Sequence, residues 1–148
     1  MGCAVIAKAL ALVLSLSSRM PLTTAAQHVR AAYAAASPAV SAEMLLAVAY
    51  VETRWQHGVT SIVRGVRFCG PLQARTRSAR RCAELQAPAI GYAAGAAELQ
   101  AWIARAHGNV RRALLGHGCG NAGFTGRTTC GHYDRRVLAA LARIGGSI

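Results

Sequence analysis

The chain has 148 residues, enough for one domain of about 100–120 residues once an N-terminal leader is set aside. Its formal net charge is +12, and sixteen of its seventeen basic residues are arginine. Such a surface favours weak association with anionic membrane or wall polymers. With two tryptophans, four tyrosines and two phenylalanines, the chain has no basic stripe interleaved with aromatics, so we expect no specific nucleic-acid partner.

Residues 1–26 predict a signal peptide. Residues 4–18 are almost wholly apolar or small, and Lys8 is the only charge among them. This run is too short for a membrane span, which needs about 20 residues. Small residues at 24–26 offer a cleavage site before Gln27. We therefore expect a periplasmic or secreted protein with a mature domain at 27–148; an uncleaved anchor is the alternative.

The mature chain holds four cysteines, Cys69, Cys82, Cys119 and Cys130. An even number of cysteines in a small exported domain predicts disulfides. Among the three possible connectivities we prefer Cys69–Cys82 with Cys119–Cys130, because each pair closes a short local loop. The rival interpretation is a zinc site, which no CxxC or closely paired Cys/His spacing supports. We expect no metal and no cofactor.

The mature chain begins with two predicted helices. The first covers Gln27–Ala36 and ends before Pro38, because proline disfavours helix at the residue preceding it. The second covers Ser41–Trp55, with Ser41 as the N-cap and Gly58 as the residue that ends it.

Glu52 is the candidate catalytic residue of the second helix. Leu45, Val48 and Trp55 recur there at helical spacing, and Glu52 falls inside their apolar stripe. A carboxyl on the core-facing side of a helix has its pKa raised by desolvation, which suits a general acid working near neutral pH. The alternative is a glutamate at the edge of the stripe or paired with an arginine.

The remaining elements predict a mainly α-helical single domain with one small β-hairpin, stapled by disulfides. β-branched residues at 59–69 alternate around Arg64-Gly65 and indicate the hairpin. After it we expect a basic helical segment at 75–85, a long helix at 89–107, a short helix at 109–115, a glycine-rich loop at 116–131 and a last helix at 132–144.

Three motifs in this order resemble the soluble lytic transglycosylases, lysozyme-like enzymes that cleave peptidoglycan, and the resemblance covers roughly residues 40–143. Glu52-Thr53 fits the family's helix ending in Glu-Ser. The segment 70–73 fits Gly-Leu-Met-Gln except at Pro71. The segment 117–120 keeps only the last glycine of Ala-Tyr-Asn-Ala-Gly, with histidine and glycine in place of tyrosine and asparagine.

The resemblance implies a lysozyme-like fold and a mechanism with one carboxylate, acting as a monomer on the glycan strands of peptidoglycan. Glu52 would protonate the bond between N-acetylmuramic acid and N-acetylglucosamine, then act as base to give a 1,6-anhydro product. The substrate-binding residues that it implies are Thr53, Ser61, Gln73, His117 and Tyr133.

Three of these residues could instead have a structural role or none at the site. Gln73 is either a substrate ligand, a brace for the Glu52 loop or a helix N-terminal side chain. Tyr133 either lines the cleft or packs in the core. A solvent-facing loop position is the simpler interpretation of His117.

The alternatives for the whole protein are a hydrolytic lysozyme on the same fold and a catalytically silent, cationic wall-binding protein. The other carboxylates of the mature chain are expected to face solvent, with Asp134 in a surface ion pair; they are Glu43, Glu84, Glu98 and Asp134.

Overall fold

The computed structural model describes residues 3–148, which form seven helices and a three-stranded antiparallel sheet. The helices are α1 Cys3–Leu16, α2 Leu22–Ala35, α3 Ala42–Thr53, α4 Ala79–Leu85, α5 Pro88–Arg105, α6 Val110–Phe124 and α7 Tyr133–Ile144. The strands are β1 Thr60–Val63, β2 Val66–Cys69 and β3 Ala74–Thr76, in the order β1-β2-β3. The prediction of a mainly helical chain with a small hairpin is confirmed. None of these helices is long and apolar enough to cross a membrane.

The N-terminal helix α1 packs on α2 and α7. It places Ala9 and Val13 in the main core. Helix α2 begins at Leu22, so the predicted cleavage site before Gln27 lies inside α2, beside the buried Ala25. Residues 1 and 2 of the predicted signal peptide lie outside the described residues. The signal peptide itself stays a prediction.

Helix α3 begins as predicted and ends earlier than predicted. The Ser41 Oγ accepts a hydrogen bond from the backbone N–H of Met44 at 3.1 Å, which confirms the N-cap. The helix ends at Thr53, and Arg54 and Trp55 both adopt left-handed backbone angles, with φ of 54° and 57°. Gly58 was therefore the wrong end residue. The early reversal turns Trp55 back into the core, where its side chain is 2% exposed.

The hairpin is confirmed, and a third strand extends it. Arg64 and Gly65 form the turn, with φ of 49° and 75°, and Thr60 pairs with Cys69 at the open end. Strand β3 pairs with β2 where we predicted the start of a helix. Helix α4 begins only after Ser78, whose Oγ accepts a hydrogen bond from a backbone N–H of its first turn.

The predicted glycine-rich loop at 116–131 is wrong over its first half. Helix α6 continues to Phe124, with a break in its backbone angles at Gly120. The glycines there allow close helix packing, because a Cβ at Gly118 would lie 2.5 Å from the Tyr133 ring. The predicted last helix is confirmed as α7.

The long helix α5 holds the turn between β2 and β3 against the core. A Cβ at Gly95 would lie 2.5 Å from the Cβ of Leu72, so only glycine allows this approach. Leu72 is fully buried, and the contact fixes the turn that contains Gln73 beside the site described below.

Both predicted disulfides are present. Cys69 bonds with Cys82, which ties β2 to α4, and Cys119 bonds with Cys130, which ties α6 to the segment before α7. Cys3 is free and exposed. Two disulfides in a chain of this size are typical of an oxidising environment outside the cytosol.

Replacing both Cys69 and Cys82 with serine is expected to lower the free energy of unfolding by about 3 kcal/mol. The bond closes a loop with a sequence separation of 13, and opening it raises the entropy of the unfolded chain. Chemical denaturation under non-reducing conditions measures the change, with Cys3→Ser as the matched control. A loss below about 1 kcal/mol would show that the loop-closure argument is wrong here.

Candidate active site

Glu52 lies in the last turn of α3, and its side chain is 18% exposed. Burial raises the pKa of its carboxyl above the usual value. A hydrogen bond from Tyr133 and the positive charge of Arg136 each oppose that shift. The expected direction of the pKa shift is therefore confirmed. A carboxyl in this setting holds its proton at a higher pH than a free glutamate does.

Tyr133 is the first residue of α7, and its hydroxyl donates a hydrogen bond of 2.5 Å to Oε1 of Glu52. The ring is buried, and burial together with the Glu52 charge raises the pKa of the phenol well above its usual value. The phenol therefore keeps its proton and remains a donor. The ring packs in the main core, so the core-packing alternative is confirmed, and the hydroxyl holds the Glu52 carboxyl in one orientation.

His117 faces Glu52 from α6. Its Nε2 lies 4.0 Å from Oε1 of Glu52, and its side chain is 3% exposed. Burial lowers the pKa of His117 to about 4, so the imidazole is neutral at neutral pH. Its Nδ1 is buried without a hydrogen-bond partner. The interpretation as a solvent-facing loop histidine was wrong, because α6 continues through this position.

A groove of about 220 Å³ lies beside the Glu52 carboxyl. One wall comes from the hairpin, and another comes from α6. Its lining residues are Glu52, Ser61, Val63, Phe68, Gln73, His117 and Gly118. The structure thus brings three of the five predicted substrate-binding residues to the groove, and Glu52 is the only carboxylate in its lining.

Gln73 braces the hairpin beside the groove. Its side-chain Nε2 donates hydrogen bonds to the backbone carbonyls of Val59 at 3.0 Å and Gly70 at 3.1 Å. It lies in the turn just before β3 and has a φ of 52°, so the helix N-terminal alternative is wrong. The bracing alternative is confirmed, and the side chain still borders the groove.

Thr53 faces the interior and does not reach the groove. Its hydroxyl is buried and lies within hydrogen-bond distance of the carbonyls of Ala49 at 3.0 Å and Pro71 at 3.2 Å. The hydroxyl therefore links the end of α3 to the turn that contains Gln73. This placement supports a structural role and corrects the predicted substrate contact.

Among residues 3–148, the four carboxylates other than Glu52 do not line the groove. Asp134 is 8% exposed and lies 4.0 Å from Arg111, so the expected solvent-facing ion pair with a neighbouring arginine was wrong. Glu98 is half-buried, which corrects the prediction that it faces solvent; it accepts a backbone N–H hydrogen bond, and burial raises its pKa. Glu43 accepts a hydrogen bond from a tyrosine, and Glu84 pairs with two arginines of α4.

Val63 and Phe68 line the groove and were not among the predicted site residues. The alternation at 59–69 indicated a hairpin, but alternation alone does not say which face of a hairpin meets a neighbouring helix.

Comparison with protein families, curated proteins and solved structures found no match to this chain. The groove residues and the three sequence motifs that contribute them are therefore the features that point to a function.

Tyr133→Phe is expected to raise the pKa of Glu52 further. The variant removes a hydrogen-bond donor that favours the ionised carboxylate and leaves the aromatic ring in place. Carbon-13 NMR titration of the glutamate carboxyls measures the shift. Tyr33→Phe is the matched control, since it removes an equivalent hydroxyl from Glu43. A Glu52 pKa that stays constant or falls in Tyr133→Phe would contradict the assigned hydrogen bond.

Proposed function

We propose that the protein is an exported peptidoglycan lytic transglycosylase with a lysozyme-like fold. The observation that carries the proposal is a single groove carboxyl, Glu52, which is largely buried, has a raised pKa and is oriented by Tyr133. All three motifs of the resemblance contribute to this groove, since Gln73 comes from the second and His117 from the third. Residues from three distant segments thus meet around one acid.

The first step of the proposed reaction is a proton transfer from Glu52. Its protonated carboxyl donates to the oxygen between N-acetylmuramic acid and N-acetylglucosamine, and the bond from C1 of the muramoyl residue to that oxygen breaks. The N-acetylglucosamine oxygen leaves as a hydroxyl, and positive charge develops at C1. The Glu52 carboxylate that remains accepts the hydrogen bond from Tyr133, which stabilises it beside that charge.

In the second step, Glu52 acts as a base. Its carboxylate takes the proton from the C6 hydroxyl of the same muramoyl residue, and the C6 oxygen bonds to C1 to give the 1,6-anhydro ring. The proton returns to Glu52, and no water is consumed. Retaining glycosidases use a second carboxylate as nucleophile, about 5–5.5 Å from the first. The substrate's own hydroxyl takes that role here, which fits a groove lined by one carboxylate.

A hydrolytic lysozyme is the second candidate, and the position of His117 favours it. A neutral imidazole 4.0 Å from the Glu52 carboxyl has a nitrogen able to accept a proton from water. Water in place of the C6 hydroxyl would then attack C1. The two candidates share Glu52 as the acid and differ in the nucleophile.

The proposed setting is the oxidising space outside the cytosol, with the protein acting as a monomer on glycan strands. The two disulfides support that compartment. The net charge of +12 supports additional weak association with anionic wall or membrane polymers.

Digestion of purified sacculi tests the proposal. We expect loss of turbidity without new reducing sugar ends, because the anhydro ring blocks the reducing carbon. Loss of turbidity with one new reducing end per cleavage would support the hydrolytic candidate. Binding to sacculi without any loss of turbidity would contradict both enzymes and favour a wall-binding protein.

A further inference from the structure

The Glu52 groove continues into a second, larger cavity of about 500 Å³. Four residues line both cavities, Val63, Phe68, His117 and Gly118. The second cavity lies between the sheet and helices α5 and α6. Its lining contains two arginines, Arg75 and Arg105, and no carboxylate.

Arg105 presents a guanidinium that is held in place and is not neutralised. It lies 5.1 Å from the ring centre of Trp102 and 4.4 Å from that of Phe124. One of its nitrogens donates a hydrogen bond of 2.7 Å to Oδ1 of Asn121. Within residues 3–148, no carboxylate oxygen lies within 4.0 Å of this side chain. The group is therefore ordered before any ligand arrives, which lowers the entropic cost of binding.

Arg75 adds a second positive charge from strand β3. Its side chain is exposed and, among the described residues, has no carboxylate oxygen within 4.0 Å. Glu98 accepts a hydrogen bond from the Arg75 backbone N–H, and the Arg75 charge acts on that carboxyl from a longer distance. Glu98 does not line the cavity, so the cavity keeps an excess of positive charge.

We propose that Arg105 and Arg75 form a subsite for the carboxylates of the peptide carried by muramoyl residues, so that peptide-bearing strands bind better than peptide-free strands. The inference rests on the proposed function. In a peptide-bearing muramoyl residue the lactyl carboxyl is consumed in the amide bond to the peptide, so the free carboxylates belong to the peptide. Guanidinium groups match the geometry of such carboxylates. The cavity has more than twice the volume of the Glu52 groove, which leaves room for a peptide beside the glycan.

Equilibrium binding of two glycan tetrasaccharides tests this, one with its peptides and one peptide-free with its lactyl carboxyls converted to simple amides. Measurements in the Glu52→Gln background prevent turnover of the ligand. The double variant Arg75→Gln/Arg105→Gln is expected to weaken binding of the peptide-bearing ligand about five- to tenfold, as for two partly exposed ion pairs. Binding of the peptide-free ligand should stay within about twofold, since its amidated lactyl groups carry no charge and make no such pairs. Arg135→Gln/Arg143→Gln, on the exposed side of α7, is the control for lost charge.

Arg105 packs on two aromatic rings, so the single variant Arg75→Gln supplies a second test that leaves this packing intact. It should show a smaller loss, again confined to the peptide-bearing ligand. Equal losses for both tetrasaccharides, no loss, or no binding of either ligand would overturn the inference. An equal loss toward poly-glutamate and in the control pair would also overturn it, by showing a general polyanion surface. Sacculus digestion by the wild type decides the proposed function separately.

Discussion

Glu52→Gln is expected to lower the rate of glycan cleavage by about 10²–10⁴-fold, the usual contribution of a positioned proton donor. Glutamine keeps the shape of the side chain and can still accept the hydrogen bond from Tyr133, but it cannot transfer a proton. No other carboxylate lines the groove to replace it. Initial rates on sacculi, compared with wild type at the same protein concentration, measure the effect.

Glu84→Gln is the matched control, because Glu84 pairs with arginines of α4 and does not line the groove. It should keep most of the activity.

We expect the Glu52→Gln variant to remain folded, so that its loss of activity is not a loss of structure. Because the folded-state pKa of Glu52 is raised, its favourable contribution to stability is present at low pH and is lost as pH rises through that pKa. The variant should therefore unfold at or above the wild-type temperature at neutral pH.

The same pKa shift predicts the pH dependence of the wild-type rate. A general acid works only while it is protonated, so kcat/KM should fall as pH rises through the raised Glu52 pKa. Activity that stays constant well into the alkaline range would contradict this role for Glu52.

Trp55→Ala is expected to lower the free energy of unfolding by about 3–5 kcal/mol, the range for truncation of a large buried aromatic. Trp55 is almost fully buried, and its ring lies 5.0 Å from that of Tyr50. Trp55 lies just after the end of α3. The cavity left by its truncation would therefore also loosen the backbone that carries Glu52. Chemical denaturation measures the change, and circular dichroism follows the helices.

Ile62→Ala serves as the control for Trp55→Ala. Ile62 is 57% exposed on strand β1, and a substitution there should change stability by less than about 0.5 kcal/mol. A Trp55→Ala loss no larger than that of Ile62→Ala would show that the tryptophan is not a core anchor.

The sequence predicted the helical elements best where hydrophobic spacing and local caps agree. Ser41 and the apolar stripe of α3 located Glu52 on a partly buried face, as the structure shows. The end of α3 could not be predicted, because a left-handed turn at Arg54 and Trp55 uses residues that rarely adopt it. The burial of Trp55 by the core compensates for that local cost.

Helix α6 shows why local signals failed at the site. Its glycines predicted a loop because glycine weakens an isolated helix. In the fold, the absence of a side chain at Gly118 leaves space for the Tyr133 ring. That contact exists only after α6 and α7 have packed. Strand β3 was missed for a similar reason, since a three-residue strand depends on its pairing with β2.

The partners of Glu52 lie far apart in sequence, and helical spacing gives no contacts across such distances. Tyr133 is 81 residues from Glu52, so its spacing on α7 indicated an inward side chain but not the hydrogen bond. Only the resemblance made His117 a candidate site residue, and its burial followed from the unforeseen length of α6.

Mass spectrometry of the glycan fragments released from peptidoglycan tests the central claim most directly. We predict that wild-type protein releases fragments with 1,6-anhydro-muramoyl ends, each lighter by one water than the hydrolysed equivalent, and that Glu52→Gln releases almost none. Fragments ending in a free reducing muramoyl residue would contradict the transglycosylase assignment. Release by Glu52→Gln at a rate within a few-fold of wild type would contradict Glu52 as the catalytic acid.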